Sequence, residues 1–222
     1  RSWGDDLIGS AHGLRIDRDD NVWVTDIGHH MVFKFSPKGK LLLALGRADQ
    51  PGNKRDLFDK PTDIGFGPKG EIYISDGYGN SRVIKFDARG KYLTQWGKPG
   101  KGRGEFDTPH AILVDRKGRV VVGDRENDRV QVFDANGKWL ATWPGFAPFG
   151  LAEDSQGAIF VADGRANQVL QVDSTSGKVV SRWGSQGTEP GQFQLPHMLA
   201  VDKKGNLFVV EIQGKRLQKL RR

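Results

Sequence analysis

Apolar and polar positions alternate with a period of two through many short stretches of this chain, and none of its segments carries a convincing helical period. VFKF (32–35), VIKF (83–86), VQVF (130–133) and VLQV (169–172) read as strands with one buried face. Five further runs are β-branched and each ends in an acid: VWVTD (22–26), IYISD (72–76), VVVGD (120–124), IFVAD (159–163) and LFVVE (207–211). Lys-Gly, Asn-Gly and Gln-Gly pairs between the runs supply the positive φ that tight hairpins need.

These runs repeat in register. An apolar stretch begins at His12, Thr62, His110, Phe149 and His197, and eight residues later stands a turn position, Asp20, Gly70, Gly118, Gly157 or Gly205. Six residues further comes an acid: Asp26, Asp76, Asp124, Asp163 or Glu211. A second turn glycine follows at Gly39, Gly90, Gly137 and Gly177, and seven later come Gly46, Gly97, Pro144 and Gly184. Each unit therefore predicts four antiparallel strands, here called a to d, and units of this size predict the blades of a β-propeller around a central channel. The expected units cover about 10–46, 60–97, 108–144, 147–184 and 195–222, within one propeller domain spanning 1–222.

The two ends add a question of closure. Trp3-Gly4 stands before His12 as Trp96-Gly97, Trp143-Pro144 and Trp183-Gly184 close their strands d, whereas the fifth unit stops after strand c. Either residues 2–4 complete the last blade and close a five-membered ring, or they belong to an upstream blade.

Composition narrows the classes. Among 222 residues there is no cysteine, which excludes disulfides, thiolate metal sites and a cysteine nucleophile. No apolar run approaches the roughly 18 residues of a membrane span. The net charge of +7 keeps an anionic ligand in play without requiring one.

Candidate chemistry sits at the first position of strand a, which faces the channel mouth. It is histidine in alternate units: His12, His110 and His197. In a ring of six places, alternate blades lie 120° apart and three imidazoles would meet on the axis. Three neutral imidazoles with an open fourth position are the ligand set of a catalytic zinc. His29 and His30, in the b–c loop of unit one, read as loop decoration. The b–c loops share the histidine face and carry Tyr78, Arg125 and Arg165. A phenol could accept a proton there, and guanidinium groups could bind a carboxylate. The fivefold-repeated acids read as structural acceptors of backbone N–H groups.

DRENDRVQVF (124–133) is similar to NHL repeats. HGLRIDRDDNVWVTDIGHHMVFKF (12–35), PTDIGFGPKGEIYISDGYGNSRVIKF (61–86), QWG (95–97) and LPH (195–197) narrow the likeness. Together they resemble the lyase domain of peptidylglycine α-amidating enzymes, a six-bladed propeller that cleaves peptidyl-α-hydroxyglycine to a peptide amide and glyoxylate. The resemblance implies zinc on His12, His110 and His197, Tyr78 as catalytic base and Arg125 as a substrate-binding arginine. Arg165 is a further, weaker candidate for substrate contact. The family's calcium would use a backbone carbonyl at Leu14 and an aspartate where this chain has Met198, so the calcium set is incomplete. The expected partner is a small-molecule or peptide substrate rather than nucleic acid, the chain is expected to be a monomer, and the resemblance favours an extracytoplasmic or secreted setting. The competing expectation is a non-catalytic NHL propeller that binds a protein or nucleic-acid ligand.

Overall fold

The computed structural model describes residues 2–221; Arg1 and Arg222, the two ends of the expected domain, lie outside the described residues. Among the described residues, nineteen strands form five separate antiparallel sheets. Blade one contains β1 (Ala11–Ile16), β2 (Val22–Asp26), β3 (Met31–Phe35) and β4 (Leu41–Leu45). Blade two contains β5 (Asp63–Phe66), β6 (Ile72–Asp76), β7 (Arg82–Phe86) and β8 (Tyr92–Trp96). Blade three contains β9 (Pro109–Val114), β10 (Val120–Asp124), β11 (Arg129–Phe133) and β12 (Trp139–Pro144). Blade four contains β13 (Pro148–Glu153), β14 (Ile159–Asp163), β15 (Gln168–Val172) and β16 (Val179–Trp183). Blade five has three strands, β17 (Pro196–Val201), β18 (Leu207–Glu211) and β19 (Arg216–Leu220). The order within every blade is sequential, as the hairpin pattern requires.

Period-two alternation assigns the faces. On β10, Val121 packs toward blade four with Trp143, Leu151 and Val161, while Val120 and Val122 pack toward blade two with Tyr73, Val83 and Phe106. Equivalent cores join blades one and two around Trp23, Ile64 and Ile74, and blades four and five around Phe160, Phe193 and Val209. The core is therefore distributed over four blade junctions, with a fifth cluster of Val24, Met31, Phe33 and Phe35 on the other face of blade one, where Ile8 packs.

The turn column behaves as its chemistry dictates. Gly70, Gly118, Gly157 and Gly205 all adopt φ between 76° and 86°. Asp20 fills the same position at φ 61°, a left-handed conformation that aspartate tolerates better than most side-chain-bearing residues.

Residues 2–4 form no strand and leave β19 as the outer strand of its sheet, so they do not close blade five. Trp3 instead lies over Gly39 of blade one; a Cβ there would sit 2.8 Å from the indole. Trp96 covers Gly137 and Trp143 covers Gly177 in the same manner. Trp3 thus takes on blade one the packing position that Trp96 and Trp143 take on blades three and four.

The inner strands pack in succession, β1 on β5, β5 on β9, β9 on β13 and β13 on β17, and no comparable packing joins β17 to β1. A cavity of about 790 Å³ runs from the channel into this opening, lined by Leu14, Ile16, Met198, Phe208, Val210 and Leu217. Leu14 and Leu217 are more than half exposed there (57% and 59%), although their pattern is that of junction residues.

Candidate metal centre

His12, His110 and His197 converge at the channel mouth. Their ring centroids lie 4.8 Å (His12–His110), 4.7 Å (His110–His197) and 5.2 Å (His12–His197) apart, a nearly equilateral triangle. Alternate places in a ring of six, as expected from the sequence, would give this symmetry. Ring nitrogens of all three lie within 4.8 Å of one another, and among the described residues they are the one cluster of three or more potential metal-ligating side chains.

Two of the rings are oriented by the next blade. His12 Nδ1–H donates to the Thr62 carbonyl at 2.7 Å, and His110 Nδ1–H donates to the Phe149 carbonyl at 2.7 Å. Those carbonyls belong to the same repeat position as the histidines. The tautomer so selected leaves each Nε2 as a bare lone pair facing inward. The next place around the ring from His197 is the open one, and among the described residues no carbonyl holds its ring in this way. Contacts with Phe149 at 5.7 Å and with the other two imidazoles place it.

Burial keeps the three rings neutral. It lowers the pKa of His12 below the ordinary value, lowers His110 well below it, and pushes His197 down to about 3. The Arg125 cation acts in the same direction on each.

Tyr78 and Arg125 reach this triangle from the b–c loops. The Tyr78 hydroxyl lies 3.1 Å from His12 Nε2 and 3.0 Å from His110 Nε2. One phenol proton satisfies only one of these two nitrogens at a time. The cluster is therefore rich in lone pairs and short of protons, a donor set suited to a cation. Arg125, in a 3-10 turn (Arg125–Asn127), stacks over Tyr78 at 5.4 Å and over Phe149 at 4.9 Å. Its Nη1 lies 3.4 Å from the Tyr78 hydroxyl and its Nε donates to Glu126 at 2.7 Å.

The remaining candidates sit elsewhere. Arg165 is held by Glu126 and Asp128 of the adjacent blade's loop, on the rim. His29 pairs with Asp49 and His30 with Asp59. Leu14 lies in β1 with its side chain exposed at the opening, and Met198 brings a thioether to that cavity. The repeated acids do accept backbone N–H groups: Asp26 from Gly9 and Ser10, Asp76 from Asp59, Asp124 from Asp107 and Glu211 from Gln194.

Phe149 was not among the sequence candidates, yet its ring walls the site between His110 and His197. Its occupancy of the histidine column was the signal for it.

A family model described as a 6-bladed beta-propeller matches residues 54–143. The human NHL repeat-containing protein 3 is 35% identical over 241 residues, covering 99% of this chain and 68% of that protein. This chain belongs to the NHL-repeat propellers. It is also similar to a lyase: the probable peptidyl-alpha-hydroxyglycine alpha-amidating lyase of Caenorhabditis elegans is 33% identical over 231 residues, covering 99% of this chain and 66% of that protein. The mouse peptidyl-glycine alpha-amidating monooxygenase is 45% identical over 139 residues, 59% of this NHL propeller but 14% of the mouse protein. The propeller thus spans only a small part of the mouse relative. No helix among the described residues is long and apolar enough to cross a membrane.

Proposed function

We propose that this propeller is a zinc-dependent lyase that cleaves the C–N bond of a peptidyl-α-hydroxyglycine, or a related carbinolamide, into an amide and glyoxylate. The observation that carries the reading is the convergence of three neutral imidazoles with the Tyr78 hydroxyl, 3.0 Å and 3.1 Å from two of them. His12, His110 and His197 would hold the metal through their inward nitrogens. Zinc there supplies Lewis-acid polarisation of a substrate oxygen.

The protein groups account for the rest. Arg125 offers its free guanidinium edge to the substrate carboxylate, a charge-assisted contact. Tyr78 Oη takes the proton of the substrate hydroxyl as its own phenol proton passes to the departing amide nitrogen, so the phenol is regenerated. The O–H electron pair becomes the new C=O bond and the C–N bond breaks. No oxidant is consumed. Phe149 and the stacked Arg125 cover the site and limit access by water.

The test is release of glyoxylate from a peptide ending in α-hydroxyglycine, with zinc content measured on the same sample. About one zinc per chain, with turnover lost in His110→Ala and on chelation and restored by added zinc, is the expected result. A folded protein without stoichiometric zinc and without turnover would instead assign the propeller to the non-catalytic binding members of its family.

A further inference from the structure

Below the histidines, the channel holds a charge pair that the mechanism does not use. Arg15 projects from β1 and forms a two-pronged contact with Asp63 of β5, Nε to Oδ1 at 2.8 Å and Nη2 to Oδ2 at 2.6 Å. Its Nη2 also donates to the Leu151 carbonyl of β13 at 3.2 Å. Asp63 is fully buried and accepts two backbone N–H groups besides, from Ile64 at 2.8 Å and from Ile112 of β9 at 3.0 Å. Four N–H donors therefore converge on two oxygens, an arrangement a carboxylate satisfies and an amide does not. The pair joins the inner strands of blades one, two, three and four across the axis.

Those contact points are adjacent to the groups that aim the imidazoles. Asp63 follows Thr62, whose carbonyl fixes His12. Leu151 is two residues beyond Phe149, whose carbonyl fixes His110, and Ile112 is two residues beyond His110 itself. Because β1 has no packed neighbour on the open side, Arg15 is its main polar tie to the far wall of the channel.

We propose that Asp63, clamped by Arg15, is a positioning residue of the metal centre: it fixes the inner-strand register that gives His12 and His110 a single tautomer with Nε2 free for the ion. The part that concerns the ion rests on the metal reading above, whereas the tautomer part stands on hydrogen bonds within the chain.

Long-range proton–nitrogen NMR on the zinc-free, histidine-labelled chain reads the tautomers, and chelator competition reads the zinc dissociation constant. Wild type should show His12 and His110 each as one Nδ1–H form. Asp63→Asn should convert at least His12 to a tautomer mixture and weaken zinc at least about 10-fold at a temperature where the variant is fully folded. Arg15→Lys, which keeps the charge and loses the fork, should weaken it about 3-fold or more. Unchanged tautomers and affinity in both variants, even with a lowered melting temperature, would overturn the proposal, as would a mixed tautomer in wild type. Failure of both variants to fold would also overturn it, because the pair would then be a general brace. A wild type that shows the single tautomers, loses them in Asp63→Asn and binds no zinc would sink the metal reading and leave the positioning role standing.

Discussion

The hydroxyl of Tyr78 stands 3.0 Å from His110 Nε2, although the two side chains come from different blades and from a loop and a strand, respectively. The b–c loop of blade two carries the phenol across the junction to the channel mouth, and the neighbouring Arg125 ring contact at 5.4 Å holds it there. Tyr78→Phe removes one oxygen and leaves the ring and its stacking. We expect kcat for glyoxylate release to fall about 10²- to 10⁴-fold, the range for loss of a proton-transfer group, with zinc content unchanged. A variant with wild-type kcat would remove Tyr78 from the reaction.

The two loop arginines should separate cleanly. Arg125→Gln should raise KM about 10- to 100-fold, matching the worth of a charged hydrogen bond. Arg165→Gln should change KM less than about 3-fold, because its fork is already occupied by Glu126 and Asp128. Steady-state kinetics on a carboxylate-bearing substrate decides, and equal KM effects would contradict this division of roles.

The histidine contribution to the stability of the metal-free protein should fall as pH drops below about 6.5 and be flat above it. The buried imidazoles are neutral when folded and protonate once unfolded, so unfolding takes up protons below the ordinary histidine value. Each such group contributes about 1.4 kcal/mol per pH unit. His197, pushed down to about 3, stays neutral through that window, so His197→Gln should reduce the slope between pH 6 and 4.5 by about that amount. Asp76, pushed up to about 6 by burial, works in the opposite direction, since its stabilisation is present below the unfolded value and lost as pH rises through 6. Both proteins share it, so it cancels in the comparison. Identical slopes in urea titrations across this range would refute the assignment.

Gly177 and Gly205 both take positive φ, 73° and 84°, but only the first is crowded. A Cβ at Gly177 would lie 1.9 Å from Trp143, whereas nothing stands within 4 Å at Gly205. Gly205→Ala should therefore cost about 1–2 kcal/mol from conformation alone. Gly177→Ala should cost more than that by at least about 1 kcal/mol, because an indole must move. Equal losses in denaturant midpoints would show that the Trp143 contact carries no weight.

The spacing of eight and six residues made the blades legible because strand and turn chemistry are local, and the five acid-terminated strands b keep the bounds the pattern assigned. The alternate histidines were legible because a repeat turns position into direction. Arg165 shows where that logic ends: the pattern places it on the correct face, yet its acidic neighbours on another blade determine what it touches. Arg15 and Asp63 left a trace that only a column-by-column reading exposes. Arg15 aligns with Gly65, Leu113, Ala152 and Ala200, and Asp63 with Gly13, Ala111, Gly150 and Met198. A charge in each of two otherwise small or apolar columns marks a pair inside the channel, but nothing local says that they meet.

The indole laid over a hairpin glycine sets how neighbouring units mate. At Gly137 and Gly177 one blade contributes the bolt and the following blade the socket. At Gly39 the bolt is Trp3, from ahead of the first strand, so that flank of blade one is cut to the same gauge as those finished joints.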